Sequence, residues 1–179
     1  MAEIILITGG ARSGKSRHAQ QLAESLSGKR LFVATCPVTD EEMRQRIERH
    51  RLDRQDAGWQ TVEETVNPGQ VLDDNPDYEV VLIDCLTLWV NNLLFTDAAN
   101  ELSEENLSVK VQKLLEACAR RPGEVIMVTN EVGLGIVPEN PLARRYRDLV
   151  GRCNQEIGAV ADKVILTICG VPTTIKENK

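Results

Sequence analysis

The stretch Ile4-Ile5-Leu6-Ile7-Thr8-Gly9-Gly10-Ala11-Arg12-Ser13-Gly14-Lys15-Ser16 decides the fold. Its mostly apolar opening, Ile4 to Thr8, reads as a buried strand. The remainder, Gly9 to Ser16, matches G-x-x-x-x-G-K-[ST], the phosphate-binding P-loop pattern. The glycines let the backbone turn tightly, so that its N–H groups point inward at phosphate oxygens. The helix expected from about Lys15 to Leu26 aims its positive end at the same point. Lys15 is placed to reach the β- and γ-phosphates, and the Ser16 hydroxyl to ligate Mg²⁺. Arg12 lies inside the loop and faces either phosphate or solvent.

Working outward, strand-like and helix-like segments alternate. Strands are expected at Arg30 to Thr35, Trp59 to Glu63, Val80 to Asp84, Val125 to Thr129 and Val164 to Cys169. Several of these are apolar without alternation, as in parallel sheets covered by helices on both faces. Helices are expected at Asp40 to about Asp56, at Ser103 to Arg120 with Ser103 as N-cap, and at Pro141 to Ala161. In the last of these, Leu142, Tyr146, Leu149, Cys153, Ile157 and Val160 recur at spacings of three and four. The pattern predicts an α/β, three-layer P-loop NTPase of RecA-like type with a mostly parallel central sheet. All 179 residues are read as a single nucleotide-binding catalytic domain, with 42% apolar residues to fill its core.

Composition narrows the partners. The net charge of −6 argues against a nucleic-acid binder, because a phosphate backbone demands a basic face. The five cysteines are scattered, with no C-x-x-C pair, which fits reduced thiols and not a disulfide or zinc framework. No stretch approaches the roughly 20 apolar residues of a membrane span, and the N-terminus lacks a basic leader region. The expected location is the cytoplasm.

Two further features carry chemistry. Asp84 ends the VVLID strand, at the edge where P-loop proteins hold magnesium or a metal-bound water. In DEEMRQRIERHRLDR (Asp40 to Arg54), Arg46, His50 and Arg54 lie four apart and form one helical stripe. An imidazole between guanidinium groups is favoured in its neutral, nucleophilic form. A solvated charged face is the commoner origin of such a stripe, and the residues alone leave both readings open. His18, one turn into the P-loop helix, is read as structural.

Together GGARSGKSRHAQ, DEEMRQRIERHR and TNEVGLGIVPENPLARRYRDLVGRCNQ resemble the bifunctional adenosylcobinamide kinase / adenosylcobinamide-phosphate guanylyltransferase family of cobalamin biosynthesis, from Ile4 to about Gly170. The resemblance implies two reactions: phosphorylation of adenosylcobinamide by ATP or GTP, then transfer of GMP from GTP to adenosylcobinamide phosphate with release of pyrophosphate. It implies that His50 is the residue guanylylated on the way, with Lys15 also catalytic. It maps nucleotide contacts onto Gly9, Gly10, Ala11, Arg12, Ser13, Gly14, Lys15, Ser16, Ala34, Thr35, Cys36, Arg51, Leu52, Asp53, Arg54, Glu63 and Asp84. It assigns the metal to Ser16 and Asp84. Asp84 stands where the family often has glutamate, so a contact through water is expected there. Asn130 and Glu131 are expected near the substrate, and a homotrimer is implied. Two other readings fit the P-loop alone. A plain small-metabolite kinase would not need His50, and a nucleotide-binding regulatory protein would transfer nothing.

Overall fold

The structure, a computed structural model, describes residues 1–37, 57–96 and 102–178. One seven-stranded sheet runs β3-β2-β4-β5-β1-β6-β7, built from β1 (Glu3–Gly9), β2 (Arg30–Ala34), β3 (Trp59–Glu63), β4 (Val80–Asp84), β5 (Glu124–Val128), β6 (Lys163–Ile168) and β7 (Val171–Glu177). Every pairing is parallel except β6 with β7. The helices are α1 (Lys15–Ser25), α2 (Pro68–Asp74), α3 (Leu86–Thr96), α4 (Glu104–Ala119) and α5 (Pro141–Val160). One strand, β5, separates the P-loop strand β1 from the Asp84 strand β4, so the P-loop α/β fold is of the expected type.

The pleat divides the core. Ile4 and Leu6, Val81 and Ile83, Val125 and Met127 face α2 to α5, where they meet Leu72, Trp89, Leu114 and Ile157. The alternate residues Ile5 and Ile7, Val80 and Leu82, Ile126 and Val128 face α1, which presents Ala19 and Ala23. Two alanines one turn apart keep α1 close to the sheet. That closeness places its N-terminus directly over the end of β1. The central strands are buried on both sides, the reason they read as unbroken apolar runs.

Boundaries follow local chemistry. Ser103 caps α4, its hydroxyl accepting from the Asn106 N–H at 3.1 Å. Ser103→Ala is expected to lower stability by about 1 kcal/mol, seen as a lower urea midpoint at unchanged slope. Asn140 caps α5 by accepting from the Leu142 and Ala143 N–H groups, with Pro141 in the first turn.

Some sequence expectations are corrected. In the α5 stripe, Leu149, Cys153 and Ile157 are buried, but Leu142 and Val160 at the two ends are exposed. A helix of 20 residues spans about 30 Å, longer than the strands beneath it, so its ends overhang the sheet. Helices α2 and α3 and strand β7 add to the expected elements. The helix expected at Asp40 to Asp56 lies outside the described residues. Among the described residues, no helix is long and apolar enough to cross a membrane.

Candidate functional site

The loop from Gly9 to Gly14 leaves the carboxyl end of β1 and enters α1. A side chain at Gly9 would strike the Thr167 carbonyl and come within 2.7 Å of Ser13 Oγ. Gly14 is the N-cap of α1 at φ 94°, in the left-handed region that favours glycine. No side chain caps this helix, so its first N–H groups remain directed at the loop's interior. Lys15 is only 8% exposed, and its Nζ donates to the Gly10 carbonyl at 3.0 Å. The ammonium therefore sits inside the loop. The turn after β6 braces the loop from behind, where the Gly170 N–H donates to the Ser13 carbonyl at 2.8 Å. Ser16 lies half-buried in the first turn of α1, and Ala11 and Arg12 are exposed.

Register brings further residues to the same edge. Glu63 pairs with Ala34, Ala34 with Asp84, and Asp84 with Val128. At about 4.8 Å per strand, Asp84 stands roughly 10 Å from β1 and Glu63 roughly 19 Å. Cys36 follows two residues after Ala34. Thr35 between them is fully buried. Its N–H donates to the Asp84 carbonyl, its carbonyl accepts from Asn92 Nδ2, and its hydroxyl both donates to the Cys85 carbonyl and accepts from the Cys85 N–H. Its polar groups all have protein partners, so Thr35 shapes this edge from within.

A second constellation was only partly visible in the sequence. Glu131, just past β5, donates its N–H to the Gly9 carbonyl at 3.2 Å. Its Oε1 accepts from Thr8 Oγ1 at 2.6 Å and from Asn154 Nδ2 at 3.3 Å. Asn154 is oriented in turn, its Oδ1 accepting from Thr129 Oγ1 and its Nδ2 donating to the Asn130 carbonyl. Asn130 Nδ2 donates to Thr87 Oγ1, which also meets Cys85 Sγ at 3.1 Å. Burial, aided by the Asp84 charge, pushes the Cys85 thiol up to about 11. Burial likewise raises the Tyr146 phenol, which donates to the Thr87 carbonyl, to about 12. Both stay protonated at neutral pH, and Cys85 is no nucleophile. Asn130 and Glu131 were expected at this edge. Thr8, Thr87 and Asn154 were not, because they come from separate elements and match no motif. The one hint was an asparagine on the α5 stripe beside Cys153.

His50 and the segment Arg51-Leu52-Asp53-Arg54 lie outside the described residues. His18 is half-buried on α1, and burial lowers its affinity for a proton, consistent with a structural part. Among the described residues, no group of three His, Cys, Asp or Glu side chains converges on a metal position.

A family model described as cobinamide kinase / cobinamide phosphate guanyltransferase matches residues 5–175. The bifunctional adenosylcobalamin biosynthesis protein CobU of Escherichia coli is 44% identical, covering 97% of this chain and 99% of its own length. Its Salmonella typhimurium counterpart is 42% identical over the same shares. The protein CobP of Pseudomonas aeruginosa, with the same description, is 41% identical over 96% of each chain. Among solved structures, an ATPase from a bacterial type III secretion system superposes with a TM-score of 0.60 at 16% identity. It covers 92% of this chain, which spans half of that ATPase, and it bears on the fold alone.

Proposed function

We infer how the residues divide the work from the premise that the chain belongs to the cobinamide kinase / cobinamide phosphate guanyltransferase family. The protein is an enzyme, a bifunctional transferase of cobalamin biosynthesis. It phosphorylates adenosylcobinamide with a nucleoside triphosphate and transfers GMP from GTP to the product, giving adenosylcobinamide-GDP and pyrophosphate. The observation that carries this reading on the molecule itself is the uncapped start of α1 facing the buried Lys15 ammonium.

In the kinase step the acceptor hydroxyl attacks the γ-phosphorus. Lys15 and the N–H groups of Gly9 to Ser16 hold the β- and γ-phosphates and stabilise the charge that builds there. The donor set fits Mg²⁺, which takes one or two protein oxygens and keeps phosphate and water for the rest. The Ser16 hydroxyl and Asp84, the latter through water, would hold the ion, which would supply positive charge to offset that of the phosphates. Glu63, roughly 19 Å from β1 by strand spacing, lies too far for the phosphates. With Ala34 and Cys36 it is assigned to the nucleoside end, and the nucleotide contacts of Arg51, Leu52, Asp53 and Arg54 rest on the family resemblance alone.

In the guanylyl step the imidazole of His50 attacks the α-phosphorus. An N–P bond forms, the bond to the bridging oxygen breaks, and pyrophosphate leaves with the electron pair. Adenosylcobinamide phosphate then takes the GMP from His50. The scattered thiols suit a reducing cytoplasm. Val171 and Ile175, exposed on β7, offer apolar surface for the homotrimer that the resemblance implies.

Intact-protein mass spectrometry after incubation with GTP and Mg²⁺ tests the covalent step. The parent is expected to gain the mass of one GMP through an acid-labile bond, and His50→Ala to gain none. A parent that binds GTP yet gains no mass would leave a plain kinase.

A further inference from the structure

Glu131 is held in a way that folding does not require. Its backbone is hydrogen-bonded to Gly9, the residue that opens the phosphate loop. Its side chain is half-buried, and its Oε1 is fixed by two neutral donors, Thr8 Oγ1 and Asn154 Nδ2. Among the described residues Oε2 accepts from no donor, and no lysine or arginine pairs with the carboxylate. Glutamine would satisfy Thr8 and Asn154 equally well, because its amide oxygen accepts as the carboxylate oxygen does. The negative charge is therefore what distinguishes glutamate here. Among the described residues, Oε2 is the oxygen of this carboxylate for which the fold itself has no use.

Position says what that use is. The carboxylate stands one strand spacing, about 5 Å, from the loop that cradles the β- and γ-phosphates. Thr8 and Asn154 place it on the α5 side of the sheet, whereas α1 covers the other side. An acceptor reaching the γ-phosphate from the α5 side would pass this carboxylate.

We propose that Glu131 is the general base of the kinase step, with Oε2 accepting the proton of the acceptor hydroxyl. As that proton moves to Oε2, the hydroxyl oxygen forms its bond to the γ-phosphorus. The bond from the γ-phosphorus to the β,γ-bridging oxygen breaks, and the nucleoside diphosphate leaves with the electron pair. Glu131 then returns its proton to water. The assignment rests on the kinase reading given above. It carries a built-in contrast. In the guanylyl step the attacking group is a phosphate oxygen, already anionic, which needs no base.

The test is Glu131→Gln, which preserves shape and the Oε1 contacts. Phosphorylation of adenosylcobinamide and GMP transfer to prepared adenosylcobinamide phosphate are measured separately. Kinase kcat is expected to fall about 10²–10⁴-fold, the range for a lost general base. KM for the triphosphate and the rate of GMP transfer are expected to stay within about threefold of the parent, as for a group acting only in one transition state. Kinase kcat within about threefold of the parent would overturn the assignment. So would a parallel fall in both reactions, which would mark a structural role. A parent that phosphorylates no adenosylcobinamide would instead overturn the functional reading, and is told apart because the loss precedes any substitution.

Discussion

Lys15→Met is expected to slow phosphorylation and GMP transfer alike, each by about a thousandfold. Only 8% of Lys15 is exposed, so its methylene stem packs within the loop, and methionine keeps much of that volume. What disappears is the ammonium, which donates to the Gly10 carbonyl at 3.0 Å and which the function proposed above assigns to the β- and γ-phosphates. Those phosphates are the transferred group and its neighbour in one reaction and the leaving pyrophosphate in the other. On that assignment one cation serves both chemistries. A thousandfold is about 4 kcal/mol of transition-state stabilisation, reasonable for a charge acting in a water-poor loop. Single-turnover rates of both reactions, with thermal denaturation to show an intact fold, make the measurement. A loss of less than about tenfold would shift the credit to the backbone N–H groups and the start of α1.

Trp89→Ala is expected to destabilise the protein by about 4–6 kcal/mol. Trp89 is 1% exposed within the core between α3 and the sheet, and its Nε1 donates to the Val66 carbonyl at 2.8 Å. Truncating a buried tryptophan costs about 3–5 kcal/mol, and stranding the Val66 carbonyl adds about 1 kcal/mol. At about 2–4 °C per kcal/mol for a chain of this size, the midpoint should fall by roughly 10 °C or more. Trp89→Phe, which keeps most of the volume, should cost less than half as much by the same reasoning. Equal losses in the two variants would assign the effect to the hydrogen bond. Helix α3 also carries Asn92, which holds the Thr35 carbonyl, so loosening it should blur the edge at Ala34 and Asp84 before the protein unfolds.

The legibility of the fold depended on how each element is buried. Strands β3 and β4 match their expected bounds, Trp59–Glu63 and Val80–Asp84, because β-branched runs are flanked by turn residues. Helix α3 is not legible in the sequence because LTLWVNNLLFT is apolar on most sides. Buried on several sides, it carries no clear stripe. Strand β7 was hidden by Pro172 and by exposure along almost its whole length. Both are tolerated because it is an edge strand. The site divides in the same way. The P-loop is legible because its chemistry is contiguous in the chain. The Thr8–Glu131–Asn154 cluster is not, because partners 123 and 23 residues apart meet only once the sheet has formed. The role proposed for His50 rests on family resemblance and not on periodicity.

The strand order sets a timetable for synthesis. Strand β1, with the phosphate loop at its end, lies between β5 and β6, so that Ile4 pairs with Val125 and Thr8 with Leu166. The brace on Ser13 comes from Gly170. At translation speeds of about 5–20 residues per second, the first strand waits on the order of ten seconds or more for its neighbours to be made. For that interval Ile4 to Ile7 is an unpaired apolar segment on a growing chain. A ribosome stalled before β6 emerges should hold a nascent chain unable to retain nucleotide, however complete its motif.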